Sequence, residues 1–338
     1  MKREHPNELA HCKALTLAAF VLVATALAAN AATEERVNKH FTVTAGGTLV
    51  VDVAFGSIEV STNDTSEVVV DAWRKVGRKN KAQEEAFLRD NPIEMKQDGS
   101  KVTIHARGTG GNSVSSWSGQ NINEANYVIT VPPKFSARLQ SGGGGMSVSD
   151  LTGEFNARAG GGGLGFARLE GPLDAETGGG GIHARDCKGA LKLNTGGGGV
   201  DVAGGSGSLD GTVGGGGITV KKFQGPVHVI CGGGGLQIEE ISGDVRGSTG
   251  GGGITLVLPW ELTGGVDLST GGAGIEVSAP GNLAFNLDAE TGGGSVWTDL
   301  PVTVSGHLKR GRLKGPVNGG GKAVVLRTGG GGIVVKKR

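Results

Sequence analysis

The residues able to do chemistry in this 338-residue chain stand beside runs of glycine. Gly196-Gly-Gly-Gly-Val-Asp201 approximates the calcium-roll motif, in which each corner supplies an Asp to the metal. Calcium takes six or more oxygen ligands. The equivalent positions elsewhere are Ser147, Gly165, His183, Thr219, Gln237 and Thr255, which do not supply them. A phosphate loop needs one glycine turn, a Lys and a helix start, whereas these glycine turns recur without a helix. Glycoside cleavage needs two carboxylates across one bond. The outward candidates Asp186, Lys188, Asp201, Lys221, Lys222, Glu239 and Glu240 read as scattered in position and sign, as on a solvated face. His183 and His228 fall at different positions of the repeat, so no metal pair is indicated. Trp260 and Trp297 near irregular corners could form a sugar-stacking edge or serve packing. The sequence thus assigns no catalytic, cofactor-binding or metal-binding residue.

The elements that carry these residues repeat. Gly-Gly-Gly-Gly begins at Gly142, Gly160, Gly178, Gly196, Gly214, Gly232 and Gly250, a period of 18 residues. A looser copy follows at Gly271, a truncated one at Gly292 and a full one at Gly329. Such a period marks a repeat architecture. After each tetrad come apolar residues at alternate positions, as in Ile182/Ala184, Val200/Val202 and Ile218/Val220. This is the pattern of a strand with one face buried. A lone glycine (Gly153, Gly171, Gly189, Gly207, Gly225, Gly243) then precedes a second alternating run, and each repeat closes on Ala159, Thr177, Thr195, Val213, Cys231, Thr249 or Thr270.

One repeat is therefore two short strands and two corners. The predicted fold is all-β: a parallel β-solenoid, a single-stranded β-helix with two strands per 18-residue turn. It is right-handed by the bias of parallel crossovers. About ten turns at ~4.8 Å each would extend on the order of 50 Å. An antiparallel meander ranks second, because identical columns at constant spacing suit an in-register parallel coil. A flexible linker would not keep Ile, Val and Leu in step, and collagen needs glycine at every third position.

The remaining regions divide the chain into a leader (1–31), an N-terminal β-rich cap with one short helix (33–136) and the glycine-rich solenoid (137–338). Lys2, Arg3 and Lys13 precede an apolar run from Ala14 to Ala29, and Ala29-Asn30-Ala31 is a small-x-small cleavage site. The run is short for a membrane span, so a membrane contact is expected only if the leader is retained. In the cap, Lys79–Arg89 has helical composition with Ala82, Ala86 and Phe87 on one side; Gly56 to Val60 reads as a degenerate repeat start. Beyond Gly292, Gly315-Pro316-Val317 echoes Gly171-Pro172-Leu173, as if two further turns followed. Cys187 and Cys231 sit two repeats apart, about 10 Å by strand spacing, beyond the ~7 Å reach of a disulfide, and read as buried thiols. A net charge of +1 and few aromatics argue against a nucleic-acid partner.

The leader, Gly46-Gly47-Thr48-Leu49-Val50-Val51, Gly56-Ser57-Ile58-Glu59-Val60, Tyr127-Val128-Ile129-Thr130-Val131-Pro132 and the recurring Thr-Gly-Gly-Gly-Gly-Ile together resemble the putative adhesin family of bacterial β-strand-repeat proteins. That domain of unknown function is related to the head domain of autotransporter adhesins. The likeness covers residues 40 to 338. It implies attachment to a surface, glycan or matrix ligand and carries over no binding residue. Residues and resemblance together predict a non-enzymatic binding or structural module, exported to the periplasm, cell surface or medium. The alternative is a polysaccharide lyase or hydrolase on the same scaffold. N-terminal sequencing of the exported protein should begin at Ala32; a start before Ala29 would contradict cleavage at this site.

Overall fold

The computed structural model describes residues 32–107, 122–304 and 310–338. The leader and the polar loop from Gly108 to Gly119 lie outside them. Among the described residues the fold is nearly all β, with one helix and two sheets of fourteen strands each. Both sheets are mixed, and neither closes into a barrel.

Each 18-residue repeat sends one strand to each sheet. Ile182–Arg185 pairs in parallel with Val200–Ala203, and that strand with Ile218–Lys221, so that Ile182, Val200 and Ile218 form one column. In the other sheet Leu173, Leu191 and Leu209 align likewise. The three residues of the first column are at most 2 % exposed, so the alternating apolar positions point inward. Cys187 and Cys231 are buried free thiols.

The glycine corners explain why the repeats can lie this close. A side chain on the first glycine of a tetrad would meet the carbonyl of the first glycine one repeat earlier: 2.5 Å from Gly196 to Gly178 and 2.3 Å from Gly214 to Gly196. Real Cβ atoms do not approach so closely, so every copy keeps glycine there, from Gly142 to Gly329. The second glycine is different. A Cβ on Gly143 or Gly161 meets nothing within 4 Å, and one on Gly197 would sit 3.6 Å from its nearest neighbour. At the fourth position the contacts are longer, 2.9–3.6 Å, and one copy carries Ser295 there.

The residue closing each repeat secures the corner. The Thr195 hydroxyl donates to the carbonyl of Gly180 at 2.7 Å, Thr177 to Gly162 at 2.7 Å and Thr249 to Gly234 at 2.6 Å. Each thus satisfies a carbonyl of the corner that opened its own repeat. A buried acceptor left unpaired would cost about 1–3 kcal/mol. Ser141 fills the same role toward Gly56 and Gly143, and the Cys231 thiol lies 2.9 Å from the Gly216 carbonyl.

At both ends the order in the sheets departs from the order in the chain. Gly47–Val53 lies between Phe135–Ser141 and Lys101–Ala106, parallel to both. Ser57–Thr62 likewise lies between Met146–Ser149 and Ile122–Val131. The degenerate start is a true one, with Ile58 opposite Met146. At the other end Lys322–Thr328 sits between Val266–Thr270 and Phe285–Thr291, and Ile333–Lys337 between Ile275–Ala279 and Val296–Thr298. The last tetrad, Gly329, therefore stacks directly on Gly271, and Gly292 stacks on Gly329. This corrects the expectation that copies stack in chain order. The echo at Gly315-Pro316-Val317 is corrected too. Arg312–Val317 is an antiparallel strand on Phe285–Thr291. Antiparallel strands also lie beside the outer N-terminal pair, Glu94–Asp98 on Lys101–Ala106 and Glu67–Gly77 on Ile122–Val131.

The helix, Lys81–Asp90, starts at Asn80, whose side chain accepts from the Gln83 N–H. It does not bury Ala82, as its apolar spacing predicted; it buries Glu84. That carboxylate accepts from the Thr33 hydroxyl at 2.6 Å, the Thr33 N–H at 3.2 Å and the Arg78 N–H at 3.0 Å. The Thr33 hydroxyl, followed by the Arg78 N–H, holds Glu84 below the usual carboxylate range. Beside it Arg74, 2 % exposed, binds Glu35 and the carbonyls of Asn91 and Leu88, fastening the helix end to the sheet.

Two predictions follow from the corners and the core. Gly196→Ala should lower stability by about 1–3 kcal/mol through overpacking, while Gly197→Ala should stay within about 1 kcal/mol of the parent or gain stability. Thermal melts of the two variants compare them; equal losses would contradict the contact pattern. Ile218→Asp should cost several kcal/mol, because it buries an unpaired charge, and should raise protease sensitivity in neighbouring repeats; an unchanged melt would contradict inward placement.

Candidate binding groove beside the glycine corner

Because the corners carry no side chains, the outer faces next to them are recessed. On the first sheet an open groove of about 580 Å³ runs across the repeats from Gly217 to Val334. Its floor is the column of fourth glycines, Gly217, Gly235, Gly253, Gly274 and Gly332. Its wall is the outward column Thr219, Gln237, Thr255, Glu276 and Val334. The next residue in that register is Trp297, opposite Val334 and 53 % exposed. On the second sheet a groove of about 600 Å³ lies on the other side of the corner. Gln140, Arg158, Glu176, Asn194 and Thr212 line it.

Carbonyls on the floor of the first groove are already used. The Gly235 carbonyl accepts from Ile218, Gly253 from Leu236, Gly274 from Ile254 and Gly332 from Ile275. The side chains offer a ligand two hydroxyls, one amide oxygen, one aromatic face and little net charge. The Gln237 amide N–H group donates to Glu239 at 2.6 Å, and Glu276 is paired with Lys336.

The opposite corner is charged. Asp150, Arg168, Asp186, Lys222 and Glu240 recur at 18-residue spacing with φ of 63°, 53°, 53°, 54° and 55°. Non-glycine residues seldom adopt this left-handed region. Their signs alternate except where Gly204 intervenes. Arg168 grips Asp150 with two bonds, of 2.5 and 2.7 Å, and Arg338 reaches Glu240 at 3.0 Å. Side chains one repeat apart are stacked at about the strand spacing of ~4.8 Å, where like charges would repel. The hydrogen bond from Arg168 holds Asp150 below its usual range, and that from Lys188 does the same to Glu170.

The outward charges are therefore columns of opposite sign, not the scattered set that reading along the chain gave. Lys188 meets Glu170 at 2.8 Å, Lys221 meets Glu239 at 3.2 Å, and Asp201 lies 4.0 Å from His183. His183 and His228 belong to different sheets. Among the described residues no group of three His, Cys, Asp or Glu side chains could hold a metal ion. Trp260 and Trp297 do not share one column. Trp260, 70 % exposed, stands in the long loop after Ile254–Val257, with the Arg338 guanidinium 5.2 Å from its ring centre. Sequence reasoning found the two tryptophans but not the grooves, which are made by missing side chains. The 18-residue column through Thr219, Gln237 and Thr255 was the available signal.

No family model and no curated protein matches the chain. Several solved structures are similar at low identity. A putative adhesin from Parabacteroides distasonis ATCC 8503 is 13 % identical, over 89 % of this chain and 97 % of that one, with a TM-score of 0.39. A putative cell adhesion protein from Clostridium sporogenes ATCC 15579 is 14 % identical over 90 % and 100 %, with a TM-score of 0.21. A putative lipid binding protein from Parabacteroides distasonis ATCC 8503 is 10 % identical over 89 % and 96 %, with a TM-score of 0.28. At these scores the likenesses assign no ligand and no activity to this chain.

Proposed function

We propose that this protein is an exported, non-enzymatic binding module, a parallel β-solenoid (137–338) behind a β-rich cap (33–136) and a cleaved leader (1–31). It takes an extended surface, glycan or matrix ligand in the groove beside its glycine corner. One observation carries the reading: the groove that runs from Gly217 to Val334, walled by Thr219, Gln237, Thr255 and Glu276, with Trp297 next in register. Hydroxyls, an amide and an exposed indole are the groups that hydrogen-bond and stack on sugars. Outward residues recur at the strand spacing, so neighbouring repeats offer successive contacts along a linear ligand.

The described carboxylates whose pKa is displaced are held ionised by their partners. A general acid for glycoside cleavage works with a raised pKa. The displaced carboxylates, Glu84, Glu94, Asp150, Glu170 and Asp288, all move downward. Asp288 does so although burial pushes it up, because Lys314, Arg327 and Arg312 together outweigh that effect. Export is supported by the leader pattern, and no helix among the described residues is long and apolar enough to cross a membrane.

The test is a glycan and matrix binding screen on the chain from Ala32, followed by titration of the best ligand with Trp297→Ala and Thr255→Arg. Both variants should keep the parent melt and weaken binding at least about tenfold, a loss of about 1.4 kcal/mol or more. Binding unchanged in both would remove the groove from the account. Turnover of a polysaccharide, abolished by replacing one outward carboxylate, would favour the enzyme reading instead.

A further inference from the structure

Two segments of this chain are built for the same place in the stack. Gly250, Gly271 and Gly292 are 21 residues apart, so the repeat after Gly271 in the chain is the one ending at Thr291 and Gly292. At that spacing Leu287, Ala289 and Thr291 fall in the columns of Val266, Leu268 and Thr270, and Val296 falls in that of Ile275. Yet the position directly on Val266–Thr270 is held by Lys322–Thr328, and Phe285–Thr291 lies one strand further out. Both segments carry the same closing chemistry. Thr328 donates to the Ala273 carbonyl at 2.6 Å, and Thr291 donates to the Gly331 carbonyl at 2.6 Å in the repeat so added.

We infer that the C-terminal segment, residues 322–337, inserts between two repeats that are able to stack on each other. The chain thus has two packings: a direct one, with Phe285–Thr291 on Val266–Thr270, and the inserted one. Charge distinguishes them. In the direct packing Asp288 would stack beside Asp267. Insertion puts Val325 between them, and it places Arg327 beside Asp288 and Glu290, at 3.4 and 3.8 Å. Arg312 and Lys314 of the antiparallel strand reach Asp288 at 3.4 and 3.3 Å and complete the arrangement. A segment so placed is paired on both sides, so the C-terminal residues act as an internal latch on the outer repeat. While the latch is out, the direct packing shields the apolar face that residues 322–337 later cover.

The outward position of Glu276 reads the two states. It is one strand from Val334 and two from Trp297 in the inserted packing, and it would neighbour Trp297 in the direct one. Strand spacing of ~4.8 Å permits a disulfide across one step and not across two, about 10 Å. In the full chain with Cys12→Ser, Cys187→Ala and Cys231→Thr, Glu276→Cys is combined with Trp297→Cys or with Val334→Cys, and oxidation is pulsed during refolding. The 276–297 bond should form in early pulses and be lost from late ones as the 276–334 bond becomes the product. Adding Asp288→Asn should prolong the early species. In the unsubstituted chain, pulsed hydrogen exchange should protect the amides of Phe285–Thr291 before those of Lys322–Thr328. If the 276–297 bond closes at no time, or if Lys322–Thr328 is protected first, the inference is wrong.

Discussion

The structure depends on how closely two peptide backbones can pass at a corner. Strands one repeat apart must sit at the hydrogen-bonding distance, and the chain must turn between sheets without interrupting that distance. At the first glycine of each tetrad the carbonyl of the preceding repeat occupies the space of a side chain. Only glycine permits the approach. Its entropic cost in the unfolded chain is met by what the approach allows, a continuous ladder on both sheets and closely packed inward columns. The Thr or Ser that closes most repeats belongs to the same constraint, because a corner this tight turns a carbonyl inward and something must donate to it.

The same economy shapes the surface. A corner without side chains leaves a recess on each flank, bounded by whatever the outward columns carry. On one sheet those columns are mostly neutral and lead toward Trp297; on the other they alternate Arg158, Glu176 and Asn194. The opposite corner makes a close approach only at its lone glycine, where a side chain on Gly171 or Gly225 would meet the carbonyl one repeat earlier at 1.9 Å, and carries charge three residues before it. Its alternating signs settle the contacts between stacked neighbours, each worth little when exposed. Binding chemistry is therefore expected beside the glycine corner.

Much of this was legible in residue order. The period, the alternation and the column Ile182, Val200, Ile218 follow from spacing alone, and the register agrees. The departures have physical causes. Spacing cannot show that Gly329 precedes Gly292 in the stack, because the 21-residue step from Gly271 leads equally well to Gly292; the signal was Asp267 and Asp288 at that same step, a like-charge pair. Ala82, Ala86 and Phe87 mark the helix in the sequence, whereas its buried anchor is Glu84, held by the Arg78 N–H just before the helix and by Thr33, 51 residues away in the chain. Ion pairs such as Lys188 with Glu170 look scattered in one dimension and become neighbours only when 18 residues are folded into one step.

The most direct test of the corner is amide hydrogen exchange on glycine-labelled protein. The N–H groups of the first glycines donate across the corner, as from Gly178 to Ala159 at 3.1 Å, Gly196 to Thr177 at 3.1 Å and Gly232 to Val213 at 2.8 Å. The second glycines, such as Gly179, Gly197 and Gly233, are exposed. The account predicts slow exchange at the first position and fast exchange at the second, repeated along the tetrads except at Gly215, whose N–H donates to the Gly196 carbonyl at 3.1 Å. Uniformly fast exchange across the tetrads would contradict it, for the glycines would then be linkers and not the contact on which the stack is built.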